Sequence, residues 1–165
     1  MPITPGIWVA DSSEYRTDRY YRYDELTELL NRWVEENGDI ATIESIGKSY
    51  EGRDIWALTI TDRSTGAPED KPAFYVDANI HAGEVSGCAT ILWLLNYLFT
   101  NKTNDPKIAK ILRETTLYVV PAISVDGMDM LLRGDIDRLR SSVRPFPKDE
   151  QEDGIVAGDV DGDGT

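Results

Sequence analysis

Residues 73–99 read AFYVDANIHAGEVSGCATILWLLNYLF, and the change of pattern inside this stretch decides the fold. Its first eight residues are rich in aromatic and β-branched side chains and predict a strand. Residues 84–100 are apolar on most sides, which predicts a well-buried helix. Between them stands His81, the only histidine in the chain, with Glu84 three positions later. A strand that ends at Ile80 delivers His81 to the carboxyl edge of its sheet. Glu84 then falls in the first turn of the helix. Ligands of open α/β sheets bind at that edge, and imidazole nitrogen and carboxylate oxygen are both zinc donors. Ala82 and Gly83 leave the turn uncrowded, and glycine permits a positive φ there. Alone, a His-x-x-Glu tetrapeptide is a weak signal, because a lone histidine is more often a structural residue.

The flanking sequence gives the pair its context. Asp105 and Pro106 suit the cap and first position of a second helix, running to about Arg113. TTLYVVPAI (115–123) predicts another strand. Strand, helix, helix and strand across 73–123 form a crossover, which implies parallel strands in a covered sheet. Upstream, Leu26, Leu29, Leu30, Trp33 and Val34 recur at helical spacing, with Asp24 as the expected cap and Gly38 as the stop. ATIESIGKS and RDIWALTITD, joined by YEG, predict a hairpin. Residues 64–72 read as a loop. Residues 1–20, with Pro2, Pro5 and Gly6, are an irregular lead-in.

Composition sets limits on function. The chain has 165 residues, enough for one domain with a sizeable core. Seventeen basic residues against thirty acidic ones give a formal charge of −13, which argues against nucleic acid and anionic membrane as partners. No apolar run reaches the roughly 18–20 residues of a membrane span. The N-terminus shows no secretory signal, so the compartment stays open between cytoplasmic and, with a processed start, secreted. Cys88, the single cysteine, reads as a small buried hydrophobe.

Four ordered motifs carry a resemblance. IGKSYEGRDIWALTIT (46–61) resembles a GxSxEGRxI hairpin, NIHAGEVSG (79–87) a first metal-binding motif, VVPAISVDGMD (119–129) a PxxNPDG loop, and RLRSSVRP (138–145) an arginine-bearing stretch. Together they resemble the zinc metallocarboxypeptidases of the carboxypeptidase A/B-like family. The match spans about residues 20–145 and corresponds to the N-terminal half of the catalytic domain. It implies an α/β fold with a mixed, mostly parallel sheet flanked by helices, apparently truncated. On this reading residues 21–132 are the N-terminal half of that domain, and 133–165 are an Arg- and Asp-rich loop or insertion.

The resemblance also implies roles. His81 and Glu84 are expected as two of three zinc ligands, and the partner as the C-terminus of a peptide or protein substrate. Arg140 matches the arginine that polarises the scissile carbonyl and stabilises the oxyanion, with Arg138 and Arg144 as alternative matches. Asp126 and Gly127 are expected on a loop beside the site, with Asp126 accepting the second imidazole N–H of His81 in the metal's outer shell. Departures are equally informative. Ser124 and Val125 replace the family's Asn-Pro, and Gly83 stands where the digestive enzymes carry arginine. The family's third ligand is a distal histidine, its general base a downstream glutamate, and its substrate-carboxylate clamp an Asn-Arg pair. None of the three is identifiable here, so the expected chain is a fragment with half a catalytic site.

A second metal motif closes the chain. Asp159, Asp161, Asp163 and Gly164 match positions 1, 3, 5 and 6 of a calcium loop. The bidentate glutamate of such a loop would fall beyond Thr165, so a solvated acidic turn is the favoured reading. Two other functions compete with the peptidase. One is a zinc amidohydrolase, such as an N-acyl amino acid deacylase, sharing the His-x-x-Glu start. The other is a non-catalytic module binding calcium or a partner through the acidic tail. Side-chain specificity and oligomeric state are not legible in the sequence.

Overall fold

The computed structural model describes residues 15–140 together with Val143 and Arg144. In chain order the elements are α1 (Tyr23–Glu36), β1 (Ala41–Lys48), β2 (Asp54–Ile60), two 3-10 turns, β3 (Ala73–Asp77), α2 (Val85–Asn101), α3 (Pro106–Glu114), β4 (Thr116–Val120) and α4 (Val125–Arg133). The four strands form one mixed sheet in the order β1-β2-β4-β3. Its parallel part is the β3–β4 pair, with Tyr75 opposite Tyr118, as the crossover requires. The β1–β2 and β2–β4 pairs are antiparallel. No helix among the described residues is long and apolar enough to cross a membrane.

Local chemistry explains most boundaries. Asp105 caps α3 by accepting from Lys107 N at 2.8 Å, and Pro106 follows as the first helical residue. At α1 the cap is Arg22, whose N–H is taken by the Glu25 carboxylate at 2.9 Å. Asp24, expected as the cap, lies instead in the first turn, where its charge still complements the helix dipole. The helix stops at Asn37 and not at Gly38, because the Asn37 amide bonds back to Trp33 O at 2.8 Å. Between β1 and β2, Gly52 adopts a left-handed φ of 85°, a region costly for residues with a Cβ.

The core forms where the sheet meets the helices. Leu26, Leu29, Leu30 and Trp33 of α1 join Leu92 and Leu95 of α2 and Met128 of α4 against Leu58, Ile60 and Val119. Those strand residues alternate with Thr59 and Tyr118, which are only half-buried. Cys88 is buried in this cluster, and burial pushes its thiol pKa up to about 12, so it behaves as the hydrophobe expected from its sequence context.

Two features depart from the sequence reading: the described sheet is mixed, as expected, but not mostly parallel, since two of its three strand pairings are antiparallel, and a helix stands where a loop was expected. Asp126 and Gly127, expected on a loop, lie in the first turn of α4. The helix ends at Gly134, whose left-handed φ of 79° lets its N–H reach Leu131 O at 3.0 Å.

Candidate metal centre

The turn bearing His81 is built by extending the β3–β4 pairing past the strand. Ala78 N bonds Val120 O at 3.1 Å, Ile123 N bonds Ala78 O at 3.1 Å, and Ser124 N bonds Asn79 O at 2.9 Å. Asn79 then turns the chain with a left-handed φ of 56°. Its side-chain Nδ2 donates to His81 O at 3.0 Å and to Ala82 O at 3.1 Å. Glu84 N bonds His81 O at 3.0 Å, and Glu84 becomes the cap residue from which α2 departs. Gly83 does not adopt the positive φ allowed for it; within this turn that conformation belongs to Asn79. Asparagine is one of the few side chains that tolerate it.

This backbone brings the two candidate ligands together. His81 Nδ1 and Glu84 Oε1 lie 2.9 Å apart, with side chains 35% and 63% exposed. Two donors each about 2.1 Å from a tetrahedral zinc are separated by about 3.4 Å, so the pair fits the ion with a small displacement. The cleft beside the turn, about 400 Å³ and open to solvent, is lined by Glu84 together with Asp77, Asn79, Ile80 and Ser86. Among the described residues no three His, Cys, Asp or Glu side chains gather as a metal site, so the donor set here is two.

The arginine segment returns to the same turn. Ala82 N donates to Arg140 O at 2.7 Å, so the main chain of residue 140 lies against the turn that follows His81. Arg138, Arg140 and Arg144 are all exposed. A Cβ built on Gly83 would meet Leu139 O at 3.9 Å and Leu131 Cδ1 at 4.0 Å, ordinary contacts, so the turn has room for a side chain there.

Asp126 does not serve His81. Its Oδ1 accepts from Ser49 Oγ at 2.7 Å and from Arg53 Nη1 at 2.8 Å, and its Oδ2 accepts from Glu51 N at 2.9 Å. Burial raises its pKa, but these three donors outweigh burial and hold the carboxyl below its ordinary value. Winding residues 125–133 into α4 turns this carboxylate toward the β1–β2 turn. Arg53 also pairs with Glu51 and, at 3.2 Å, with Asp129, which in turn accepts from Tyr23 N. The sequence reading missed Asp129, and Asp-x-x-Asp at helical spacing is its only trace. It also missed Asn79, whose signal was an asparagine at the strand-to-turn junction. Asp159, Asp161 and Asp163 lie outside the described residues.

These features together place one imidazole and one carboxylate side by side at the carboxyl end of a mixed sheet. The family model for zinc carboxypeptidase matches residues 26–148, and the chain belongs to that family. It is 30% identical to mouse carboxypeptidase M over 121 residues, covering 71% of this chain and 26% of that protein. It is 28% identical to mouse carboxypeptidase D over 116 residues, covering 70% of this chain and 8% of that protein. The crystal structure of thrombin-activatable fibrinolysis inhibitor superposes with a TM-score of 0.73 at 23% identity, over 83% of this chain and 33% of that one. The chain therefore spans about a quarter or less of these two curated relatives.

Proposed function

We propose that this chain supplies the first two zinc ligands and the oxyanion-stabilising arginine of a carboxypeptidase centre. The observation that carries the reading is the convergence of His81 Nδ1 and Glu84 Oε1 to 2.9 Å at the carboxyl edge of the sheet. Zinc, when bound, acts as a Lewis acid toward a carbonyl and lowers the pKa of water. The chain's own residues have narrower tasks. His81 and Glu84 present their donors side by side, from a turn tied to β4 and α4. Arg140 enters from the loop bonded to Ala82, and its guanidinium meets negative charge that develops on the scissile carbonyl oxygen. The substrate class is the C-terminal end of a peptide or protein.

The set is incomplete in these 165 residues, because His81 is the sole histidine. A catalytic zinc takes three protein ligands and keeps one position open. The third ligand and the general base must come from elsewhere in an active enzyme. A zinc amidohydrolase or a non-catalytic module is not favoured, since the relatives named above are carboxypeptidases. Calcium at Asp159, Asp161 and Asp163 has no support among the described residues and is no part of this reading.

Two measurements test the proposal. The chain should bind zinc weakly in equilibrium dialysis, and Glu84→Gln should weaken binding further. A polypeptide carrying the rest of the family's domain should release C-terminal residues from peptides, and lose this activity on chelation and on His81→Gln. Unchanged zinc binding in Glu84→Gln, or hydrolysis that survives His81→Gln, would remove His81 and Glu84 from the metal site.

A further inference from the structure

We propose that Asn79 is a positioning residue for the His81–Glu84 pair, and that its carboxamide sets the direction in which the imidazole is presented. Asn79 combines three features that each work against stability. It is a left-handed residue other than glycine, with φ of 56°. Its side chain is polar, yet the residue is only 3% exposed. Its Oδ1 is buried without a hydrogen-bond partner. Glycine would meet the backbone demand without strain and without an orphaned acceptor. What glycine lacks is the Nδ2 group, which donates to His81 O at 3.0 Å and Ala82 O at 3.1 Å. Strain and an unsatisfied polar atom kept together at one residue are features expected at functional positions.

The geometry shows what the carboxamide accomplishes. The carbonyls of His81 and Ala82 are the two peptide groups between the imidazole and Gly83. Holding both fixes the orientation of the His81 Cα–Cβ bond relative to Glu84. The main-chain oxygen of Asn79 accepts from Ser124 N at 2.9 Å, so the clamp is anchored to the residue that caps α4. With the clamp in place, His81 Nδ1 faces Glu84 Oε1 at 2.9 Å. Without it the turn keeps its Glu84 N to His81 O bond but loses the restraint on the ring.

The zinc arm of this inference rests on the metal reading of His81 and Glu84, while its tautomer arm does not. Because His81 is the only histidine, its ring nitrogens give ¹⁵N signals that no other imidazole overlaps. The experiment records long-range ¹H–¹⁵N spectra of the whole chain at alkaline pH, then titrates zinc. Wild type should show mainly the Nδ1–H tautomer. Asn79→Gly, which keeps the left-handed turn, should shift toward the Nε2–H form of a free imidazole. Asn79→Asp, which replaces the donor by an acceptor, is the second variant and should behave alike. In the wild type, zinc bound at Nδ1 should displace that proton and shift both ring nitrogen signals.

A folded Asn79→Gly protein with the wild-type tautomer overturns the proposal. So does a lowered Tm with unchanged ring signals, which would make Asn79 a structural residue alone. Failure of both variants to fold likewise overturns the positioning role, because the carboxamide would then be needed for the fold itself. A wild-type ring that ignores zinc sinks the metal reading and leaves the tautomer comparison to decide the role of Asn79.

Discussion

Asp126→Asn is the sharpest test at the scale of a residue. The side chain is 7% exposed and serves three donors, so an amide in its place leaves Arg53 with a weaker partner and turns an N–H toward another donor. Arg53 keeps Glu51 and Asp129, which limits the loss to about 2 kcal/mol in denaturant titration at neutral pH. The pH dependence has a definite sign. A carboxyl whose folded pKa is depressed stabilises the fold at pH values above its ordinary pKa. That contribution is lost as pH falls through the folded value. The gap between wild type and Asp126→Asn should therefore close in acid, and a gap that widens there would contradict the network. Arg140→Ala in an enzyme containing the whole domain should lower kcat by about 10²–10³ with the fold intact. Normal turnover in that variant would pass the role to Arg138 or Arg144.

At the scale of an element, the junction of β3 and α2 is the sensitive point. A Cβ built on Gly87 lies 3.2 Å from Ala78 Cβ and 3.7 Å from Asn79 N, because the first turn of α2 lies against the end of the β3 segment. Neither neighbour is the end of a flexible side chain. Gly87→Val should therefore push α2 off the turn and lower stability by about 1–3 kcal/mol, read from the denaturation midpoint. It should also weaken zinc binding, since Glu84 is the cap residue of that helix. A valine variant as stable as wild type would mean that α2 can give way here without loss of packing.

For the whole molecule, two outcomes follow from what the chain contains. The 165-residue protein should show no appreciable carboxypeptidase activity with added zinc, because loss of a general base alone costs about 10²–10⁴. Chelator-sensitive hydrolysis of a blocked dipeptide by pure protein would mean that another residue completes the metal sphere. The sheet's two outer strands also differ. β1 carries Glu44, Lys48 and a register irregularity, features that discourage pairing with another chain. β3 instead presents Phe74 and Tyr75, each 58% exposed, on an outer edge of the described sheet. A second copy should pair there, giving concentration-dependent association in sedimentation velocity that Tyr75→Lys suppresses. A monomer at all concentrations would show that β3 is shielded.

Short-range chemistry made much of this protein legible from sequence. The period change between residues 73–80 and 84–100 placed β3, α2 and His81 in order, and Asp105-Pro106 located the start of α3. The crossover implied the parallel β3–β4 pair. These features depend on spacing, propensity and capping within a few residues. The partners of Asp126 do not: Ser49 lies 77 positions away in sequence, and only the packing of α4 against the β1–β2 turn brings them together. The same holds for Arg140 O against Ala82 N, and for the left-handed Asn79 with its bond from Ser124 N. Hydrogen bonds between distant segments leave no periodic trace in sequence, because one donor and one acceptor suffice. The sequence by itself determined which residues stand on the strand, turn and helix of the site. Tertiary structure decided which of them face one another, because long-range hydrogen bonds and packing orient side chains after the local elements have formed.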